Sequence, residues 1–262
     1  MKFAVVDGQR REAQPGLSGE CQGCGRPTLA KCGEVRVWHW AHLTKRFCDT
    51  WWENEGEWHR AWKGHFPESW QEIVHLAEHG VRHIADVKTD QGWVIEFQHS
   101  NITPEERRSR DAFYGKLVWV VDGTRLKRAK TQFTKAWDCG KPLGSGEGVR
   151  IVFVNECSLL REWAGSQAPI FFDFGEEVLW WLIAGSTEGR VWIGKYPRAE
   201  FIAVLRGGTD EKPLDLADLI TWAKGQLATY ESTQRALDSQ RARLRDGSFY
   251  RLLDVGRRRG RF

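Results

Sequence analysis

Residues 83–100 read HIADVKTDQGWVIEFQHS, and this stretch decides the fold of the middle of the chain. Two short runs with high β propensity flank Asp90-Gln91-Gly92, a pattern typical of a β-hairpin. Both runs are rich in apolar residues, which indicates central strands of a sheet. An unpaired carboxylate is costly in such a place. Because the runs nevertheless carry three polar side chains, we expect those side chains to have a chemical role.

The polar side chains are Asp86, Glu96 and Gln98. Nine residues separate the two acids, so a hairpin can bring both to the same end and face of the sheet. Carboxylates at close range repel each other, and a hard divalent cation relieves that repulsion. Gln98 shares the face of Glu96 and could orient a water molecule or a phosphate oxygen, while His83 and His99 flank the site. The alternative is that these polar residues simply face solvent.

The segments around the hairpin predict a mixed α/β core. Residues 51–66, WWENEGEWHRAWKGHF, carry large apolar side chains at helical spacing, and WQEIVHL reads as a strand. After the hairpin, Thr103 caps a second helix with Pro104 at its first position, and the apolar strand LVWVVDG follows. The first helix could add an acid and a phosphate-binding base from Glu53, Glu55, Glu57, His59 and Lys63.

The part of the chain after residue 148 gives weaker signals. VRIVFVN, IFFDF, RVWIGKY and FIAVL indicate strands, and EEVLWWLIA indicates a short apolar helix. Residues 214–245 predict one long helix or two, amphipathic at first and then rich in arginine. A basic end of this kind suits a polyanion such as nucleic acid, although a solvated helix face is an equally good interpretation.

Composition excludes several classes of protein. A hydrophobic fraction of 41% over 262 residues is enough for a real core. Since no run of about 18 apolar residues exists, we expect no membrane span, and the polar N-terminus does not fit a signal peptide. Four of the six cysteines fall within residues 21–48, which favours a metal site in a reducing cytoplasm over a disulfide framework.

Those four cysteines form part of a predicted zinc site. Cys21-x-x-Cys24 has the spacing of a zinc knuckle, in which one turn brings two thiolates to a tetrahedral ion. Two further ligands are needed. We favour His42 and Cys48, because they bracket a loop that could close back on the knuckle, and Cys32 and His39 are the alternates.

Taken together, these motifs resemble those of the competence protein CoiA-like nucleases, a branch of the PD-(D/E)xK superfamily. The resemblance covers residues 21–123. Its motifs are Cys21-x-x-Cys24, His39-Trp40-Ala41-His42 followed by Cys48, Glu57-Trp58-His59 with Lys63, Ala85-Asp86-Val87, Glu96-Phe97-Gln98-His99-Ser100, and Arg110 with Tyr114.

The resemblance implies a PD-(D/E)xK core of order α-β-β-β-α-β, in which an Asp and a Glu bind Mg²⁺ or Mn²⁺ to hydrolyse DNA. By position these acids are Asp86 and Glu96, and Glu57 would complete the acidic site. Three parts are then expected: a zinc-knuckle region (residues 1–50), a nuclease-like core (51–146), and a C-terminal α/β region with an Arg-rich helical tail (147–262).

Gln98 departs from the superfamily pattern, which usually places a lysine two residues after the second acid. Because glutamine supplies neither charge nor a base, the metal-bound water or a nearby group such as Lys63, His59 or His83 must do more. The alternative function is therefore a catalytically inert, zinc-stabilised DNA-binding or adaptor protein.

Arg110 and Tyr114 lie four residues apart, on one face of the second predicted helix. They would either contact a substrate phosphate or support the active-site strand. Packing of the helix on the sheet, with a surface arginine, explains the pair equally well.

Overall fold

The computed structural model describes residues 1–44, 49, 51, 55–76, 80, 82–144, 148–185, 189–208, 213 and 215–258. These residues form two sheets and six helices. The predicted mixed α/β class is therefore confirmed.

The first sheet is antiparallel and has five strands in the order β2-β1-β3-β4-β5. Apolar side chains from this sheet and its loops form a small core of their own, which includes Ala4, Val6, Cys21 and Trp40. The strands are β1 (Phe3–Val6), β2 (Gln9–Glu12), β3 (Ser18–Glu20), β4 (Pro27–Lys31) and β5 (His39–His42).

The second sheet is mixed and has nine strands in the order β10-β11-β14-β13-β12-β9-β8-β7-β6. Strand β9 pairs in parallel with both β8 and β12, and the remaining pairs are antiparallel. The strands are β6 (Gln71–Leu76), β7 (Arg82–Lys88), β8 (Val94–Gln98), β9 (Leu117–Asp122), β10 (Lys141–Pro142), β11 (Val149–Phe153), β12 (Ile170–Asp173), β13 (Val178–Gly185) and β14 (Arg190–Pro197).

The helices are α1 (Glu57–Lys63), α2 (Pro104–Tyr114), α3 (Ala129–Asp138), α4 (Ser158–Trp163), α5 (Arg198–Leu205) and α6 (Leu216–Arg258). Helix α1 packs on Phe97 of β8 through Trp62, whose ring centroid lies 5.6 Å away. Helix α2 instead reaches the preceding residue, Glu96, through Arg110. Since successive strand residues point to opposite faces, α1 and α2 cover opposite faces of the sheet.

The element order from α1 to β9 is helix, three strands, helix, strand, as the sequence predicts. Thr103 caps α2 by accepting the backbone N–H of Glu106 at 3.1 Å, with Pro104 at the first helical position. The hairpin turn between β7 and β8 contains Gly92 at φ +81°, a left-handed conformation that glycine adopts without steric cost.

Two predictions for the later part of the chain are wrong. EEVLWWLIA was expected to be helical, but β13 covers residues 178–185 and pairs with β12 on one side and β14 on the other. A central strand buried on both faces has an unbroken apolar run, which periodicity alone does not separate from a buried helix. FIAVL was expected to be a strand, but it lies in α5, which begins directly after Pro197.

The later strands continue the same sheet as the hairpin, because β12 pairs with β9. The predicted boundary near residue 146 therefore falls inside one sheet. The chain divides into two compact units, Met1–Leu216 and Ala217–Phe262, and α6 supplies the second. The long helix predicted at residues 214–245 is thus a single helix, in which Arg235, Arg241 and Arg243 are exposed.

Candidate functional site

Strands β7 and β8 separate where they carry their carboxylates. Their pairing is limited to residues 87–88 of β7 and 94–95 of β8. The next position in that register would place Asp86 opposite Glu96. There Oδ2 of Asp86 accepts the backbone N–H of Phe97 at 3.0 Å. A side chain thus takes the place of a strand carbonyl, and the structure brings together the two acids that the sequence singled out.

Helix α1 supplies the groups that contact Asp86. Oδ1 of Asp86 lies 2.8 Å from Nε2 of His59 and 3.3 Å from Nζ of Lys63. Burial alone would raise the pKa of Asp86, but its interactions with His59 and Lys63 outweigh burial and hold the pKa well below the ordinary value. Asp86 is therefore a carboxylate at neutral pH.

Glu96 has the opposite electrostatic environment. Arg110 on α2 donates from Nη1 to Oε2 of Glu96 at 2.9 Å, but the other oxygen, Oε1, is buried and accepts no hydrogen bond from the described residues. Burial and the negative charge of Asp86 raise the pKa of Glu96 to about 8, against the opposing effects of Arg110 and of the backbone N–H of Asp86. The pair thus combines an ionised acid with one whose ionisation is costly.

We expect the Glu96→Gln variant to be more stable than the wild type, by an amount that grows between about pH 5 and pH 8. The native carboxyl keeps its proton up to about pH 8, whereas the unfolded one releases it near its ordinary pKa of 4.5. Raising the pH through this window therefore destabilises the wild type, and the effect levels off above the native pKa. The amide cannot ionise, yet it still offers an oxygen to Arg110.

Urea unfolding from pH 5 to pH 9, without added divalent cations, measures this difference. Glu105→Gln is the matched control, because Glu105 is an exposed acid of α2. Parallel stability curves for the wild type and Glu96→Gln would contradict the expectation.

Lys63 connects Asp86 to two further acids. Its Nζ lies 3.0 Å from Oε1 of Glu55 and 3.1 Å from Oε1 of Glu72. Burial would lower the pKa of Lys63, but Glu72, Asp86 and Glu55 together raise it above the ordinary value. Glu57, the acid that the resemblance implied, is instead exposed at the start of α1 and has no ion pair among the described residues. Glu55 and Glu72 occupy the interior position that was expected for it.

Glu72 and Glu55 were not identified as site residues from the sequence. Glu72 is the second residue of β6 and has φ +49°. Its carboxylate accepts the backbone N–H of Phe3 in β1 and that of Lys2 just before it. Nothing in the sequence around Glu72 predicts that its side chain is buried. Glu55 was one of several acids on the predicted first helix, and Glu53 lies outside the described residues.

Gln98 ends β8, His99 follows it, and the two side chains contact different partners. The Gln98 amide donates to the backbone oxygen of Ser100 at 3.2 Å and to its hydroxyl at 3.3 Å. His99 places Nδ1 2.7 Å from Oδ2 of Asp122, which ends the neighbouring strand β9. Asp122 is a buried partner that the sequence did not reveal.

His83 lies on β7 and is buried against Asp49. Its Nδ1 is 2.8 Å from Oδ1 of Asp49, and its ring stacks on Trp51 with the centroids 3.2 Å apart. Asp49 also contributes to the raised pKa of Glu96. Tyr114 packs near Trp51, and burial raises the pKa of its hydroxyl. Arg110 and Tyr114 thus support the carboxylate region from α2.

A second cluster joins Cys21 and Cys24, between β3 and β4, to His42 on β5. The three potential ligand atoms lie within 4.8 Å of one another, and Cys24 Sγ is 3.3 Å from Nε2 of His42. Thiolate sulfur and imidazole nitrogen at these distances could hold a metal ion. Two of the three residues belong to the predicted knuckle, and His42 is the histidine that we favoured.

The remaining predicted ligands are not part of this cluster among the described residues. Cys32 is partly buried against the small core of the first sheet. His39 places Nδ1 2.9 Å from the carbonyl oxygen of Val37. Cys48 lies outside the described residues, so its place as the fourth ligand stays a prediction.

No helix within the described ranges is long and apolar enough to cross a membrane. Comparison of the chain with protein-family models, curated proteins and solved structures finds no match. A function must therefore be argued from the chemistry of the two clusters.

Proposed function

We propose that this protein is a metal-dependent nuclease with a PD-(D/E)xK-type core that hydrolyses DNA phosphodiester bonds. The order α1, β6, β7, β8, α2, β9 is the order of elements that the resemblance implies. Asp86 and Glu96 occupy the two acidic positions of that core. Mg²⁺ or Mn²⁺ is the proposed cofactor.

The observation that carries the proposal is the state of Glu96. Most buried polar side-chain atoms in proteins have a hydrogen-bond partner, yet Oε1 of Glu96 has none among the described residues. Glu96 also lies close enough to Asp86 for the negative charges of the two carboxylates to repel each other. A divalent cation between the two acids would satisfy this oxygen and convert repulsion into attraction.

The donor set fits a hard cation such as Mg²⁺. Both acids offer oxygen, and within the described residues no third Asp, Glu, His or Cys joins them as closely as in the cysteine cluster. Mg²⁺ typically binds one or two carboxylates and takes its other ligands from water and substrate phosphates. When bound, such an ion polarises the phosphate and lowers the pKa of a coordinated water.

Side chains of the two helices prepare the acids for this role. Lys63 and His59 keep Asp86 ionised, so it can bind a cation without first losing a proton. Arg110 fixes the direction of the Glu96 carboxylate. Lys63 also places a positive charge 3.3 Å from Asp86, which compensates for the neutral Gln98.

Incubation with single-stranded, duplex and branched DNA and with RNA, each with Mg²⁺ or Mn²⁺, tests the proposal. We expect cleavage of at least one DNA substrate when the ion is added and no cleavage when it is omitted. Intact substrates under all these conditions would contradict the nuclease function and favour the inert alternative.

The alternative is a catalytically inert, zinc-stabilised DNA-binding or adaptor protein. The observation in its favour is that each acid already has a basic partner, Lys63 for Asp86 and Arg110 for Glu96. In that case DNA binding would weaken with salt but survive loss of either acid.

Nucleic acid is the proposed partner under both functions. The exposed arginines of α6 offer charges for phosphate groups, although Arg235 and Arg241 also pair with acids on the same helix. The same site would serve a nuclease in DNA uptake, recombination, repair or defence.

We further propose that Cys21, Cys24 and His42 bind a structural zinc ion, with Cys48 as the fourth ligand. No disulfide joins the five described cysteines, which suits thiolate ligands in a reducing cytoplasm. We expect purified protein to contain about one zinc per chain and Cys24→Ser to lose most of it. Elemental analysis measures the content, and Cys139→Ser, at an exposed thiol, is the control. Equal zinc content in both variants would contradict this assignment.

A further inference from the structure

The cysteine cluster contacts the strand that carries Asp86. Arg82 at the start of β7 donates from Nη1 to the carbonyl oxygen of Gly23 at 2.7 Å. Gly23 lies between the two knuckle cysteines, and a Cβ at this position would be 3.3 Å from Cδ1 of Ile84. Ile84 in turn packs against the core that contains Cys21. The knuckle is thus in contact with β7 within two residues of Asp86.

A second contact reaches the same residues of β7 from Asp49. Its Oδ2 accepts the backbone N–H of Ile84 at 2.8 Å, and its Oδ1 lies 2.8 Å from Nδ1 of His83. Asp49 directly follows Cys48, the proposed fourth zinc ligand, in the sequence. Both contacts therefore come from segments that a bound zinc ion would hold.

These contacts meet β7 where it lacks a neighbouring strand on one side. Residues 82–85 pair with β6, but pairing with β8 begins only at Val87. The backbone N–H of Ile84 is satisfied by Asp49 rather than by β8. The separation of the two strands creates the space in which Asp86 and Glu96 meet, so whatever maintains the separation also maintains the site.

We propose that Arg82 and Asp49 are positioning residues that couple zinc at Cys21, Cys24 and His42 to cation binding at Asp86 and Glu96. With zinc bound, the knuckle and Asp49 hold β7 away from β8 and fix the direction of Asp86. Without zinc, residues 82–86 lose both contacts and the affinity of the acidic pair for Mg²⁺ or Mn²⁺ falls. The part that concerns the acidic pair rests on the proposed nuclease function.

Amide hydrogen exchange and Mn²⁺ binding of the full chain, with and without zinc, test the coupling. Zinc is removed by chelation and dialysis before Mn²⁺ is added. We expect exchange at residues 82–86 to accelerate at least tenfold, Mn²⁺ affinity to fall at least tenfold, and both to recover when zinc is restored. Exchange of β9 should stay unchanged. Unaltered exchange at residues 82–86 would overturn the proposal.

Arg82→Met gives an independent test that leaves every proposed ligand in place and decides the question if zinc-free protein unfolds. With full zinc content and normal melting, we expect several-fold faster exchange at Ile84 and weaker Mn²⁺ binding. Lys88→Met is the control, because Lys88 lies on the same strand in the part that pairs with β8. Unchanged exchange and Mn²⁺ binding in Arg82→Met would overturn the coupling.

The two proposals fail in different ways. If zinc-loaded wild type binds no Mn²⁺ through Asp86 and Glu96, the nuclease function is contradicted. Amide exchange at residues 82–86 then decides alone whether zinc stabilises β7. If Mn²⁺ binds equally well with and without zinc, the coupling is wrong and the nuclease function stands.

Discussion

Asp86→Ala is expected to abolish metal-dependent DNA cleavage, with a rate at least ~10³-fold below that of the wild type. Asp86 is the acid of the pair that is ionised before any cation arrives, because His59 and Lys63 lower its pKa. Its loss removes a proposed metal ligand and leaves the positive charge of Lys63 facing the site. Loss of metal-ion catalysis is worth several kcal/mol, and each 1.36 kcal/mol is tenfold in rate.

Cleavage is measured as initial rates at saturating Mn²⁺ on whichever substrate the wild type degrades. Asp90→Ala is the matched control, since Asp90 is an exposed acid in the turn of the same hairpin. DNA binding by Asp86→Ala should persist. Equal cleavage by Asp86→Ala and the wild type would show that hydrolysis occurs elsewhere or comes from a contaminant.

The central hairpin could be predicted from the sequence because local signals agree with each other there. Turn chemistry at Asp90-Gln91-Gly92 and the apolar runs all indicate two adjacent strands, and the helix start at Thr103 has its own capping signal. Asp86 and Glu96 followed from that register. Their proximity is therefore a consequence of local geometry rather than of distant packing.

The rest of the carboxylate network could not be predicted in this way. Glu72, Asp49 and Asp122 reach the site from other elements, and each has an unremarkable local context. Only tertiary packing reveals that Glu72 meets Lys63, because β6 and α1 are brought together by the sheet. The choice of Glu57 over Glu55 depended on which side of a short helix start faces inward.

The errors at β13 and α5 have a similar cause. An apolar run is compatible with any buried element, and the partners that decide between strand and helix lie far away in the sequence. For β13 these partners are β12 and β14. Pro197 was the one local clue for α5, since proline fits a helix start better than a strand interior.

The burial of Lys63 among three acids leads to a second prediction with a large expected effect. Lys63→Met should destabilise the protein by about 3–5 kcal/mol, the usual result of removing one partner from a buried ion pair. Methionine fills a similar volume, but it leaves Glu55, Glu72 and Asp86 without their shared cation. Repulsion among these carboxylates then opposes folding.

The pH dependence of the stability should also change in Lys63→Met. Interaction with Lys63 helps to lower the pKa values of Glu72 and Asp86 against the effect of burial. Such lowered values give stability that is present above the unfolded pKa values and is lost as pH falls through the native ones. Wild-type stability should therefore fall more steeply on acidification below about pH 5 than that of Lys63→Met.

Chemical unfolding at pH 7 and at lower pH measures both effects. Lys130→Met is the matched control, because Lys130 pairs with Glu176 at 2.8 Å on the surface and should contribute less than ~1 kcal/mol. If the two variants lost equal stability, Lys63 would not be neutralising buried acids. A selective loss in Lys63→Met would instead show that the charge of Lys63 neutralises the buried acids Glu55, Glu72 and Asp86. In the proposed nuclease, the same charge would compensate for the neutral Gln98.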